Sequence, residues 1–237
     1  MAALEDRHWW FSGTRALAAR LLERHAPPPR DALDLGCGTG LTLKLLGEKG
    51  YTPTGLDASP LALRHARSAS GAPCLRGSAD RLPLRDASFG LVTALDVLEH
   101  LPDDGAALAE IRRVLMPGGT LLVSVPAHPF LFSAHDRALG HVRRYTQKRL
   151  LAALATAGFA VRHVTWANAS LFLPIALVRL LRRSPRDPGR DEASDLSLPP
   201  RPINAALRAL LGAEASLASR AGLPMGLSLF AVAQAPG

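Results

Sequence analysis

Two groups of residues in this chain have types and spacings that can do chemistry. The first is Asp34-Leu35-Gly36-Cys37-Gly38-Thr39-Gly40, in which alternate glycines follow directly on the apolar segment Ala32 to Leu35. Glycine admits positive φ and lets the backbone approach a ligand, so glycines between a strand and a helix form a turn that suits a nucleotide-like cofactor. A second apolar segment, Tyr51 to Leu56, ends in Asp57. It stands about twenty residues on, where the dinucleotide fingerprint puts the acid that holds ribose hydroxyls. The second group is rich in histidine: His100, closing Asp96-Val97-Leu98-Glu99-His100, and then His128, His135 and His141 with Arg143, Arg144 and Tyr145. An imidazole titrates near neutrality and can take a proton from a hydroxyl, phenol or ammonium group. His100 is therefore either a general base or a structural cap, with His128 and His135 as further catalytic candidates. Arg143, Arg144 and Tyr145 either bind an anionic acceptor group or tie their loop to the next helix. The His and Asp residues of 128–145 lack metal-ligand spacing and a matching fourth ligand, so no metal is expected.

These residues need elements to position them. Residues 3–25 read as a helix carrying the aromatic cluster His8-Trp9-Trp10-Phe11, and Pro27-Pro28-Pro29 ends it. Strand and helix patterns then alternate: Ala32 to Leu35, Thr39 to Gly47, Thr52 to Leu56, Pro60 to Ala69, Pro73 to Arg76, Gly90 to Leu95, Asp104 to Leu115, Thr120 to Val125, Gln147 to Ala157 and Ala160 to Trp166. Alternation of this kind predicts crossover connections and a parallel sheet covered on both faces, with ligands beyond the carboxyl ends of the strands. The rhythm breaks over 168–222, where the apolar run Leu171 to Leu181, a proline-rich connector and an alanine-rich helical pattern (Ile203 to Ala221) follow one another. Gly226 to Ala233 reads as a last strand. The expected organisation is one domain: a helical cap (1–29), a cofactor-binding core (30–167), a helical lid that lends apolar walls to the acceptor site (168–222) and the final strand (223–237).

A chain of 237 residues holds one sizeable α/β core. The net charge of +8 would suit a polyanionic partner, but the lysines are only Lys44, Lys49 and Lys148 and the arginines are scattered, so nucleic acid is not expected. Cys37 and Cys74 make neither a disulfide framework nor a metal cluster and read as buried thiols. The start is acidic where a signal peptide would be basic, and no apolar run approaches the roughly 18 residues of a membrane span. A cytoplasmic location is expected. Leu171 to Leu181, followed by Arg182-Arg183, has the character of a segment that lies in a membrane interface without crossing it. Nothing in the pattern bears on oligomeric state.

The glycine turn is G-x-G-x-G with an acid two residues before its first glycine, unlike the dinucleotide G-x-G-x-x-G. It resembles the first motif of the class I S-adenosylmethionine-dependent methyltransferases. The resemblance continues through GLDAS (Gly55 to Ser59), GSADRLPLRDASFGLVTALDVLEHL (Gly77 to Leu101) and IRRVLMPGGTLLVSVP (Ile111 to Pro126), covering roughly residues 30 to 165. It implies a Rossmann-like α/β fold with a seven-stranded, mostly parallel sheet whose last strand is antiparallel, and S-adenosylmethionine as cofactor. The implied activity is methyl transfer to a small-molecule acceptor, at oxygen or nitrogen. On the cofactor it implies Asp34 supporting the amino group, and Gly36, Cys37, Gly38 and Gly40 admitting the methionine and ribose. Asp57 would take the ribose hydroxyls, Ala58 would pack on adenine, and Ala79, Asp80 and Arg81 would form the adenine loop. Asp96 and Val97 would line the cofactor side, and His100 would face the transferable methyl. The loop with His128, His135, His141, Arg144 and Tyr145 would meet the acceptor. Trp9, Trp10 and Phe11 have the spacing of either a helix's core face or an aromatic lid. N-terminal aromatics followed by an arginine occur over the cofactor in quinone-biosynthesis methyltransferases, which implies the lid, with Trp10 and Phe11 among the substrate-binding residues and Arg15 on the methionine carboxylate. Two other functions remain open: a lipid or quinone methyltransferase at a membrane surface, and a noncatalytic cofactor-binding module.

Overall fold

The computed structural model describes residues 7–181 and 198–237. Helix α1 (Trp9–His25) begins on His8, whose ring accepts a hydrogen bond from the Trp10 N–H at 3.2 Å. The predicted residues 3–6 of this helix, and Arg182-Arg183, lie outside the described residues. A repeating strand–helix series follows: β1 (Asp31–Leu35), α2 (Leu41–Glu48), β2 (Thr52–Asp57), α3 (Pro60–Ser70), β3 (Cys74–Arg76), β4 (Phe89–Leu95), α4 (Asp104–Val114) and β5 (Leu115–Pro126). After a short α5 (Ala134–Ala138) come α6 (Gln147–Thr156), β6 (Ala160–Ala167), α7 (Phe172–Leu181), α8 (Arg201–Ala221) and β7 (Ser228–Gln234). Local chemistry sets the helix ends. Ser59 caps α3 by accepting from the Ala62 N–H, Pro60 starts it, and Gly71 closes it in the left-handed region.

The strands form one sheet of order β3-β2-β1-β4-β5-β7-β6. β1 pairs in parallel with β2 and β4, β2 with β3, and β4 with β5, whereas β7 runs antiparallel to both β5 and β6. Successive residues of a strand point to opposite faces, and the two cores follow that alternation. Leu33, Val92, Leu121, Val123 and Ala231 meet Leu108 and Ile111 of α4 and Leu150 and Leu154 of α6 on one face. Ala32, Leu91, Leu122, Phe230 and Val232 meet α1 and α8 on the other.

That second core changes the account of 168–222. The expected lid is divided: α7 sits near the strand ends, against the segment Pro129–Leu131, while α8 is a layer of the fold. Leu211, Ala215 and Ala218 of α8 are buried with Leu17, Ala18 and Leu21 of α1. A Cβ placed on Gly13 would stand 2.5 Å from Leu211 Cδ1, so the two helices approach as closely as glycine permits. Small residues on both helices make this layer possible, and a periodicity count does not reveal which neighbour a helix will choose. Glu214 ties α8 to the start of α7 by accepting from the Ala169 and Ser170 N–H groups at 3.0 and 2.9 Å. Among the described residues no helix is long and apolar enough to cross a membrane.

Candidate active site

The glycine turn leaves the carboxyl end of β1 and enters α2. Gly36, Gly38 and Gly40 all have positive φ, at 69°, 51° and 88°. A Cβ on Gly40 would meet the Ala66 Cα at 2.6 Å, and one on Gly36 would meet Val97 Cγ2 at 2.6 Å. A Cβ on Gly38 would meet, among the described residues, only the Gly36 carbonyl oxygen, at 3.9 Å, so its outer side is open to a ligand. Two glycines thus serve packing and one serves access. Below the turn Asp34 is buried, and one carboxylate oxygen accepts from the Thr93 hydroxyl at 2.6 Å. The other, Oδ2, is buried with no hydrogen-bond partner among the described residues. Burial pushes the Asp34 carboxyl up to about 7 against the Thr93 hydrogen bond, and the charge on Asp57 adds to the rise. Asp57 accepts from the Gly38 N–H at 3.0 Å and the Ser59 N–H at 2.8 Å, so one carboxylate fastens the turn to the start of α3. In the 78–81 turn Ala79 is buried, and Asp80, which accepts from the Ser78 hydroxyl, is exposed beside Arg81. Ala58 is exposed too, its carbonyl accepting from Arg76 Nε.

An unpaired carboxylate oxygen under a turn with an open glycine fits the aminoalkyl and ribose ends of S-adenosylmethionine. It would give a buried acid the ammonium donor it lacks. Thr93 was not singled out in the sequence, although a polar residue inside the apolar strand Phe89–Leu95 is the signal that points to it. The same holds for Ser124 of β5, whose hydroxyl donates to Asp96 Oδ1 at 2.9 Å and accepts from the Asp96 N–H at 3.1 Å. Asp96 needs that support, because its φ of 55° is in the left-handed region.

The second group gathers around the ends of β4 and β5. Asp96 reaches solvent from a recess, and the protein around it raises its carboxyl against the Ser124 hydrogen bond and the nearby His141, His100 and Arg144. His100 and His141 stand edge to face with ring centroids 4.7 Å apart. Burial and the neighbouring His141 hold His100 below its ordinary pKa, which keeps it neutral near pH 7. Glu99 is fully buried, neither of its carboxylate oxygens has a partner among the described residues, and burial followed by the Asp96 charge raises it well above the usual range. Glu99, His100 and His141 each offer one ligand-type atom, and these atoms all lie within 4.8 Å of one another. The fold carries His141 out of 128–145 to Glu99 and His100 at the end of β4, a grouping that the sequence spacing does not display.

The rest of the loop divides between wall and frame. His128 stacks on Trp166 (centroids 4.8 Å, 25°), approaches Phe172 at 4.9 Å, and shares a hydrogen bond with the Gly226 carbonyl at 2.9 Å. Trp10 packs on the adjoining cluster of Leu131, Phe172, Ala176 and Leu227, so α1 and α7 meet at this aromatic wall. Phe11 instead lies edge-on to His8, Arg15 is half-buried on α1, and His135 is half-buried on α5. Arg144 is buried and gives two nitrogens to Asp136 Oδ1 at 2.8 and 2.7 Å and a third to the Ala127 carbonyl at 3.0 Å. Burial alone would raise Asp136, yet the His141 hydrogen bond and the Arg144 guanidinium hold its carboxyl well below the usual range. Tyr145 is fully buried, its hydroxyl donating to Asp104 at 2.6 Å, and Arg143 pairs with the same carboxylate at 3.0 Å. Arg143, Arg144 and Tyr145 therefore tie the loop to the body of the protein. As placed, Arg144 and Tyr145 are committed to internal partners instead of facing an acceptor. The reason is an ion pair of Arg144 with Asp136 and a hydrogen bond of Tyr145 to Asp104, partners that have no fixed sequence spacing to them.

The chain is similar to proteins already known. A methyltransferase-domain family model matches residues 33–123. A Mycolicibacterium smegmatis protein bearing the name "Probable S-adenosylmethionine-dependent methyltransferase" is 35% identical over 161 residues, 67% of this chain and 62% of that protein. The chain thus spans about three fifths of that relative. The demethylmenaquinone methyltransferase of Tropheryma whipplei is 30% identical over 70% of this chain and 66% of its own length. Among solved structures, the methyltransferase of Haloferax volcanii in complex with the Trm112 methyltransferase activator superposes with a TM-score of 0.65 at 24% identity, covering 99% of this chain and 93% of that one. An S-adenosylmethionine-dependent methyltransferase of Mesorhizobium loti gives 0.62 at 23% identity, with 97% and 99% covered. At such identities these structures speak to the fold alone. Together with the motif turn and the sheet order, the matches show that the chain belongs to the class I S-adenosylmethionine-dependent methyltransferase family.

Proposed function

We propose that this protein transfers the methyl group of S-adenosylmethionine to a small-molecule acceptor, at oxygen or nitrogen, beside the carboxyl ends of β1, β4 and β5. The observation that carries this reading is Asp34: a buried carboxylate with one oxygen that has no partner among the described residues, directly beneath the glycine turn. When bound, the cofactor supplies a methyl group on a sulfonium, already activated for in-line displacement. The protein's tasks are then to bind, to orient and to manage one proton. Asp34 holds the amino group of the methionine portion, the open side of Gly38 admits the backbone contact, and Asp57 turns its remaining lone pairs to the ribose hydroxyls. Ala58, Ala79 and Asp80 border the adenine. His100, neutral near pH 7 and next to Asp96, is placed on the side from which an acceptor would approach, and it can take the proton released as the acceptor is methylated. Arg15, Trp10, Phe11, His128 and His135 complete the rim in this reading.

Calorimetric titration of S-adenosylmethionine into Asp57→Ala tests it. A hydrogen bond to a charged group contributes about 1.5 to 3 kcal/mol, so affinity should fall roughly tenfold or more. Unchanged affinity would refute the placement of the cofactor, and binding without turnover on any acceptor pool would favour a noncatalytic module.

One observation favours a lipid or quinone acceptor reached from a membrane surface. Leu173 and Leu177, one turn apart on α7, are 71% and 58% exposed, and Phe130 in the segment that α7 packs against is 50% exposed. These side chains would rest among headgroups and acyl chains. Replacing both leucines by serine should abolish flotation with phospholipid vesicles while changing stability by no more than about 0.5 kcal/mol each, as for exposed positions generally. Wild-type protein that does not float would remove this alternative.

A further inference from the structure

We propose that Glu99, His100 and His141 form a binding site for one divalent first-row transition-metal cation at the acceptor end of the cleft. Their ligand-type atoms lie within 4.8 Å of one another. Metal–nitrogen and metal–oxygen bonds of about 2.0–2.2 Å allow ligands on one ion to stand as much as about 4.4 Å apart, so small side-chain shifts close the set. The case rests on Glu99 as much as on proximity. Its side chain is fully buried, both oxygens lack a hydrogen-bond partner among the described residues, and it points at two imidazoles. A carboxylate buried without donors costs several kcal/mol. A cation supplies the missing partner.

The outer partners are those that metal-bound histidines require. His141 turns Nδ1 to the Asp136 carboxylate at 3.1 Å, leaving Nε2 for an ion. Asp136 is itself held by Arg144 at 2.7 Å and by the Ser133 N–H at 2.9 Å, so the imidazole has little freedom. His100 turns Nδ1 toward Gly140, whose backbone favours the protonated ring. A carboxylate or backbone group behind a ring fixes its tautomer and raises its basicity as a ligand. Asp96 faces the same imidazoles across the pocket.

Two imidazoles and one carboxylate leave coordination positions open and suit manganese, iron or zinc, with geometry and availability deciding among them. Taking the cleft as the acceptor site, and so resting on the methyltransferase reading, an open ion here selects an acceptor that offers oxygen; with one His100 nitrogen turned to Gly140 and the other on the ion, the ion in place of His100 would ease the loss of the acceptor's proton. The class it fits best is a catechol or vicinal diol, which can occupy two positions at once.

The test uses full-length protein stripped of metal by a chelator and titrated with Mn2+, with free Mn2+ read by electron paramagnetic resonance. One Mn2+ should bind per chain and be displaced by Zn2+. Glu99→Gln and His141→Ala should each weaken binding at least tenfold, and Asp136→Asn by about tenfold or more through His141. S-adenosylmethionine affinity, measured in parallel, should stay within about twofold of wild type in all three, since none of these residues borders the glycine turn; this also verifies folding. Catechol should alter the spectrum of bound Mn2+ in wild type, and phenol should not. Failure of wild type to bind Mn2+ at millimolar concentration, or undiminished binding in Glu99→Gln, would overturn the metal site. A spectrum indifferent to catechol would overturn the acceptor class. Failure to bind S-adenosylmethionine would instead sink the methyltransferase reading and leave the metal result standing.

Discussion

The half of this protein proposed to bind the cofactor and the half proposed to meet the acceptor are built differently. The glycine turn, Asp57 and the Ser78–Arg81 turn are short contiguous segments, each delivered by its own strand, and backbone groups make most of their contacts. The acceptor half is held by side chains from distant parts of the chain. His100 from the end of β4 meets His141 from the loop after β5, and His128 stacks on Trp166 of β6 and Phe172 of α7. Binding one invariant molecule is thus assigned to backbone geometry that a motif encodes. Meeting a variable acceptor is assigned to loops that can be rebuilt without disturbing the sheet.

The sharpest way to break this contrast is at Arg144. Arg144→Ala removes the guanidinium from a fully buried Asp136 carboxylate, and losing one partner of such a pair costs about 3–5 kcal/mol. The acceptor loop should loosen, visible as faster amide exchange over 128–145, while affinity for S-adenosylmethionine persists in the protein that remains folded. An equal loss of cofactor affinity would show that the halves are one unit.

Gly40→Ala attacks the other side. The new Cβ would stand 2.6 Å from the Ala66 Cα at a φ of 88°, with backbone that cannot step aside, so about 2–4 kcal/mol of stability should go. Chemical denaturation measures that loss, and cofactor binding should fall with it. A variant as stable as wild type would mean that the turn relaxes freely, contrary to a preformed site.

A pH experiment separates the halves by sign. The folded-state pKa of Asp34 is pushed up to about 7, above that of an unfolded aspartate, so its contribution to stability is fully present below about pH 4 and is lost as pH rises to about 7. Asp136 is held low, so its contribution is present above about pH 4 and is lost as pH falls further. In cofactor-free protein, Asp34→Asn should flatten the decline between pH 4 and 7, an effect on the order of 2–4 kcal/mol, and should weaken S-adenosylmethionine binding. Melting curves at several pH values decide it. An unchanged pH profile in Asp34→Asn would locate the decline elsewhere.

The amino-acid sequence by itself determined the strand and helix order and the expected antiparallel last strand. It also marked the turn where a cofactor would sit, because periodicity, caps and the DLGCGTG run act over a few residues and need no distant partner. It did not reveal the α1–α8 layer, the Thr93 and Ser124 supports, the burial of Tyr145, or the meeting of Glu99, His100 and His141. Each of these depends on which surfaces face one another once the sheet has assembled. A helix with small residues on one face can pack on many partners, and a histidine in a loop becomes a neighbour of another only when two strand ends are brought side by side. The tertiary structure decided those pairings through burial: apolar faces had to be covered, and a carboxylate drawn inside with them, such as Asp136, took its counterpart from elsewhere in the chain, here Arg144.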